Sequence, residues 1–525
     1  MEFCSRYCCG FIWPGKKPIG LNTETLQFNV AVLRVLVEEA KILKANSSSS
    51  LKNNLGSRFF FIGLASLVWL LLRTGTKPSR IVYPCQRTAL ANASIWLAVY
   101  VLPLLGFIKP GKRTLAFSLI ALAVAGGLVF VSFLRRAPEE LKIEIQERIA
   151  ELQLSSSIYV VTGGRGHFDD VRDLITLMGE RGLKFYKSPT VSQVSGPDGL
   201  IAKDDVVIIK VNSQWNERGG TNTDLVKALI QAIINHPDGF AGEIVIADNG
   251  QAQYGSSGRG GSLDWDRNNA EDTAQSMEKV SQHFASQGYR VSTYLWDDIT
   301  LRRVKEFKDG DLEDGYIVYD EPDSDTGVIV SYPKFRTKYG TYISFKLGVW
   351  NPSTKAYESE KLKVINVPVL KTHSIYGVTA CVKHYMGVVS DRLTNHNPHN
   401  SVGTGGMGTV MVETRMPVLN IIDAIWINPH PRAGPATSYE RAVKAGIIAA
   451  STDPVALDYW ASKYILMQVA SKLGYRDLSS MDPDDVSGRS FGNWLRLSMN
   501  ELLRAGYFAT VEESRINVFV KSRGA

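Results

Sequence analysis

From Ser157 onward, short runs of continuous apolar residues alternate with longer stretches that are apolar along one helical face. The runs at 158–163, 206–211 and 243–248 are each followed by a polar or glycine-containing loop. Helices are expected after them over Asp169–Gly182, Asp224–Ile234 and Asn269–Gln287. Strands that are apolar on both faces belong in a mainly parallel sheet with helices on both faces. Residues 315–347 break the pattern with shorter, alternating runs, which predict antiparallel hairpins inserted as a subdomain. The strand–helix theme returns at 364–368, 419–423 and 446–450. Asp453 and Pro454 then supply an N-cap and a first-turn proline for a helix through Ala470. The fold class expected is α/β, a single body over 157–525.

Before that body the pattern is different. Ala89–Ile108 and Leu115–Leu134 hold 20 residues each without a charge, enough to cross a hydrocarbon core of roughly 30 Å. Phe59–Leu72 has 14, about 21 Å as a helix, and is a short third candidate. The expected organisation is an N-terminal segment over 1–57 with an amphipathic helix at Thr25–Leu43, then a transmembrane region over 58–136. A helical linker over 137–156 follows, in which Pro138 opens a charged stalk, Glu139–Leu152. The lipid bilayer is thus an expected partner, and an integral protein of the plasma membrane the expected localisation. Two spans put the body in the cytoplasm by their flanking Arg and Lys residues; three put it opposite the first terminus, so the side stays open.

A net charge of +7 over 525 residues is mild, and much of it flanks the apolar runs, so no nucleic-acid partner is expected. Of the five cysteines only Cys381 lies in the α/β body. That excludes a disulfide-built fold and a four-cysteine cluster motif. Cys4, Cys8, Cys9 and Cys85 match no lipidation motif.

In parallel sheets, ligands bind beyond the carboxyl ends of the strands. Polar residues gather at four such ends: Lys210–Asn212 with Asn216 and Thr221–Asn222, Asp248–Asn249, Lys371–His373, and Asp423. Asn and Asp there are ordinarily turn and cap residues, but Lys210, between Ile209 and Val211, must reach solvent or an anion. The densest stretch runs from Lys371 and His373 through Thr379, Lys383 and His384 to His396 and His399. Five of the eight histidines fall between 373 and 430, and imidazoles serve both as metal ligands and as acid–base groups. Pro398 argues for a loop that turns His396 and His399 inward. Lys371, His373 and Lys383 are the catalytic candidates, Lys210, Asn212, Asp248 and Thr379 the cofactor-binding ones, and His396 and His399 the metal ligands. Glycine-rich loops at Gly250–Gly261 and Gly403–Gly408 offer backbone N–H groups for a phosphate, or simply turns.

Residues 364–373 and 376–387 resemble the core signature of domain-of-unknown-function family 362. Segments 208–212, 221–222, 246–248 and 450–458 resemble its other blocks in order, so the likeness spans 157–470. Many relatives carry a ferredoxin-like cysteine module that this chain lacks. His373 and Lys383, ten residues apart with a glycine turn between them and a histidine beyond, are also similar to lactate racemases. That resemblance implies Lys383 as the anchor of a metal-containing nucleotide cofactor, His373 as acid or base, and His396 or His399 as metal ligand. The first reading is a membrane-anchored enzyme, dependent on a divalent metal or such a cofactor, acting on a small anionic molecule such as a 2-hydroxy acid. A redox component working with a partner protein, and a ligand-binding module without turnover, remain open beside it.

Overall fold

The structure is a computed structural model that describes residues 143–251 and 260–523, with isolated positions at 65–67, 69 and 92–93. The segment 25–43, the apolar runs 59–72, 89–108 and 115–134, and most of the loop before Gly261 lie wholly or largely outside the described residues. Among the described residues, no helix is long and apolar enough to cross a membrane. The chain divides into two units after Ala137, and Pro138–Ala525 is the unit that holds the α/β body.

That body begins with β1 (Ser156–Thr162), α1 (Phe168–Glu180), β2 (Val206–Val211), α2 (Thr223–Ile234), β3 (Glu243–Asp248), α3 (Met277–Ala285) and β4 (Val291–Leu295). Short strands follow: β5 (Gly315–Val318), β6 (Ser331–Arg336), β7 (Tyr342–Ser344), β8 (Gly348–Asn351) and β9 (Ala356–Glu358). Next come β10 (Leu362–Val367), β11 (Val369–His373), β12 (Gly377–Thr379), α4 (Cys381–His384), α5 (Asn397–Ser401) and α6 (Gly406–Glu413). The chain closes with β13 (Leu419–Asn428), β14 (Val443–Ser451), α7 (Pro454–Ala461), α8 (Met467–Lys472), α9 (Phe491–Arg504) and β15 (Ile516–Ser522).

The main sheet runs β15-β1-β14-β13-β10-β2-β3-β4, with β11 and β12 branching beside β13. It is mostly parallel; β14 is antiparallel to both neighbours, and β12 to β11. The continuous apolar strands have the reason expected of them, because both faces are covered. In β2, Val206 and Ile208 enter one core with Leu457, Trp460 and Trp494 from α7 and α9. Val207, Ile209 and Val211 enter a second core with Val171, Leu174 and Leu229 from α1 and α2. Strands β5 to β9 form a separate antiparallel sheet, which reaches past the expected 315–347.

Three expectations are corrected. Residues 143–155 form no helix; they run alongside β15, where Arg148 and Val518 exchange N–H···O bonds of 2.9 and 2.7 Å. The open edge of β15 offers backbone partners that a free stalk would lack. Helix α3 starts eight residues late, at Met277, because Asn269 turns its amide onto the Gly220 carbonyl and the Asp423 carboxylate instead of joining a helix. The glycines at 403–408 bring helices together: a Cβ on Gly408 would meet the Ser498 carbonyl of α9 at 2.4 Å.

Strand β13 is long enough to pair first with β10 and then with β11. This carries residues 371–373 past the carboxyl end of β2, and the strand-end polar residues converge there.

Candidate functional site

Asn212, Asp248, Lys371, His373, Thr379 and Lys383 line one cavity of about 250 Å³, and His399 closes part of its rim. Segments far apart in sequence are thus brought to one place by the sheet. Lys210 and His396 are not among the lining residues.

Lys210 is fully buried and spends its charge on Asp248, with Nζ 2.8 Å from Oδ1. The other Asp248 oxygen accepts from the Ser213 N–H (2.7 Å) and hydroxyl (3.0 Å). Lys210 therefore holds Asp248 in place and does not itself present a charge to the cavity. The pair fits only because residue 387 is glycine: a Cβ there would lie 2.2 Å from the Asp248 carboxylate and 2.6 Å from the Lys210 ammonium. Asn212 has a bracing contact as well, its Oδ1 accepting from the Val369 N–H at 2.8 Å. Asn222 caps α2, and Asp423 accepts the Asn222 N–H at 2.8 Å; both do the work of cap and turn residues.

Lys371 and Lys383 differ from Lys210 in having no carboxylate in contact. Lys371 donates to the Gly219 carbonyl at 2.6 Å. Burial, then the nearby Lys383 charge, pull its ammonium down to about 7. Lys383 lies 5.1 Å from the Tyr376 ring centre; burial lowers it to about 8, against the pull of Asp391. His373 receives the backbone N–H groups of Ile375 (3.1 Å) and Tyr376 (3.2 Å) at Nδ1. Its proton is thereby fixed on Nε2. Burial, with the charges of Lys383 and Lys371, pushes its pKa down to about 2. It is a neutral ring that can donate from Nε2.

The residues around the two lysines show partners that the sequence alone does not reveal. His384 directs Nδ1 to the Asn366 Oδ1 at 2.7 Å, while its buried Nε2 closes no hydrogen bond. Thr379 Oγ1 is buried without a partner. Asp458 receives the N–H groups of Cys381 (2.6 Å) and Val382 (2.9 Å), and so fixes the turn that carries Lys383 and His384. Gln251 and Asn249 tie the loop at 386–391 together, Gln251 through the Val389 carbonyl (2.9 Å) and the Asp391 N–H (3.0 Å). Thr379, His384 and Asn249 stand in stretches singled out from the sequence, and Asp458 in the 450–458 block; the hold of Gln251 on the 386–391 loop had no such signal.

At the rim, His396 and His399 point Nδ1 at the same oxygen of Asp391, at 2.5 and 2.8 Å. The loop expected around Pro398 is instead the short helix α5, with the proline in its first turn where a missing N–H costs nothing. Of the glycine-rich loop at 250–261 only the ends are described; Asp297 receives the N–H groups of Gly250 (2.6 Å) and Gly260 (2.8 Å), clasping them together.

The fold and site define a mixed α/β protein with a cationic, histidine-lined cavity at its strand ends. Residues 353–463 match the family described as Domain of unknown function (DUF362), which supports the resemblance drawn from 364–387 and 450–458. The matched segment carries Lys371, His373, Thr379, Lys383, Asp391, His396, His399 and Asp458; Lys210, Asn212 and Asp248 lie before it. No curated protein and no solved structure matches the chain.

Proposed function

We propose that this protein is an enzyme acting on a small anionic molecule, a carboxylate or phosphate, held between Lys371 and Lys383. The observation that carries the reading is two buried lysines on one cavity wall with no carboxylate in contact. Burying an ammonium is costly unless an anion accompanies it. Lys210 in the same region has its counter-ion, so the two that lack one stand apart. A bound anion would favour the charged form of both. Thr379 Oγ1 and the His373 Nε2–H add hydrogen bonds to its oxygens. A lysine held near 8 can also take and return a proton close to neutral pH, which suits Lys383 to acid–base work. His373 then acts as a neutral donor to developing negative charge, because its Nδ1 is already occupied.

The test is calorimetric titration of the full-length protein with phosphate and with small 2-hydroxy acids. Binding is expected to fall at least about tenfold in Lys371→Met and in Lys383→Met, the loss of one charge-assisted hydrogen bond. Unchanged binding in both variants would sink the reading. We also propose that residues 58–136 anchor the body in a membrane, on the strength of the two uncharged 20-residue runs. Release of the protein from membranes by alkaline carbonate would rule that out.

A further inference from the structure

The cluster at the cavity rim has a composition that the anion pocket does not call for. Asp391 is fully buried at the side chain, His399 is 25% exposed and His396 55%. Ligand atoms of all three lie within 4.8 Å of one another. The backbone is shaped to bring this about. Asn395 and His396 both adopt positive φ (52° and 61°) without being glycine, and this turns the chain back so that the His396 N–H reaches the Asp391 carbonyl at 2.8 Å. Asn397 pins the same turn to the segment before β6, accepting the Ile329 N–H at 2.6 Å and donating to the Gly327 carbonyl at 2.9 Å. From the other side the Tyr376 hydroxyl donates to the His399 carbonyl at 2.5 Å. Every member of the cluster is braced by a separate contact.

A single ion pair would explain one imidazole beside Asp391. It does not explain why two rings offer the same nitrogen to one carboxylate oxygen. Two imidazoles and a carboxylate are a common donor set for divalent ions of the zinc and iron(II) class, one that leaves coordination positions open. We propose that Asp391, His396 and His399 bind one divalent transition-metal ion through Oδ2 and the two Nδ1 atoms. In a tetrahedral site with bonds of about 2.0–2.1 Å, ligand atoms stand roughly 3.3 Å apart. Both nitrogens must draw back from Oδ2 by roughly 0.5–0.8 Å from their present 2.5 and 2.8 Å, and the half-exposed His396 ring has room to do so. The ion takes the place of the protons on the two Nδ1 atoms: a neutral ring keeps its single proton by carrying it on Nε2, and a doubly protonated ring releases one proton to solvent. His399 lines the same cavity as Lys383 and Tyr376, so a metal held there would border it. An anion there could place one oxygen on the metal and another on the lysines. The site stands on its own three ligands, whether or not the cavity takes an anion.

The experiment is metal uptake by the full-length protein, first stripped with chelator and then titrated with Zn²⁺, and with Co²⁺ for its visible absorption. One equivalent is expected, with affinity lowered at least about a hundredfold in His399→Ala and in His396→Ala. His430→Ala, which removes a histidine bound instead to Tyr475 and the Arg441 carbonyl, is expected to keep full uptake. Lys383→Met is also expected to keep it, which separates failure of the anion pocket from failure of the metal site. His396 is exposed enough that its alanine variant should fold, and circular dichroism of the metal-free variant checks this. No stoichiometric uptake by the parent protein, or uptake unchanged in both rim histidine variants, would overturn the proposal.

Discussion

Lys371 and Thr379 stand directly opposite each other in the antiparallel pair β11–β12, and both line the cavity. The ammonium has one protein acceptor and the hydroxyl has none. Two polar groups are thus held side by side with hydrogen-bonding capacity unused, which is what a ligand subsite requires and a hydrophobic core avoids.

The first prediction follows from that unused hydroxyl. Thr379→Val keeps the shape and removes a buried polar atom with no partner, so the ligand-free protein should gain about 1 kcal/mol in denaturant unfolding. Anion affinity should fall in the same variant. Stability that drops along with binding would show that the hydroxyl has a structural partner after all.

The second concerns pH. Lys371, with an ordinary value near 10.5, sits at about 7 in the fold. Between those values the unfolded chain holds a proton that the folded chain has lost. Lys371 therefore contributes a rise in stability as pH climbs from about 7 to about 10, and its burial penalty is fully felt below 7. Lys371→Met should be more stable than the parent near pH 6, by on the order of 3 kcal/mol, with the advantage fading toward pH 10. Denaturant midpoints at four or five pH values decide the sign.

Anion binding should show the complementary behaviour. A bound anion raises the pKa of both lysines, so the complex takes up protons between about pH 7 and 9. Calorimetry in two buffers of different ionisation enthalpy measures that uptake directly. Proton release on binding would contradict it.

How much of this was legible beforehand differs from one feature to the next. The strands at 206–211 and 243–248 were plain, since an apolar run covered on both faces needs no alternation. Asp453 was read as an N-cap and is one, accepting the Val455 and Ala456 N–H groups. The gathering of Lys371, His373 and Lys383 could be inferred because β11, β12 and α4 are contiguous in sequence. What stayed hidden depended on distant partners. Nothing around Lys210 says that its counter-ion lies 38 residues on, and nothing around Asp391 says that both rings turn back upon it. Residues 143–152 stayed hidden for a similar reason: their charges fit a free helix, but the open edge of β15 gives the backbone a better partner.

The last prediction tests the close approach at Gly387. Its neighbours are the Lys210–Asp248 pair, buried and 2.8 Å apart. A methyl group would overlap the Asp248 oxygen at 2.2 Å, and neither partner can retreat. Lys210 lies at the end of a central strand, and Asp248 is held by Ser213 at its other oxygen. Gly387→Ala must then separate the ions or shift the 386–391 loop that Gln251 and Asn249 secure. Prying apart a buried pair leaves two uncompensated charges and costs roughly 3–5 kcal/mol. Unfolding of Gly387→Ala should show a loss of that size. A second substitution, Lys210→Met with Asp248→Leu, removes both charges and should recover part of it. If the double replacement recovers nothing, the strain lies in the loop and the ion pair is not what Gly387 accommodates.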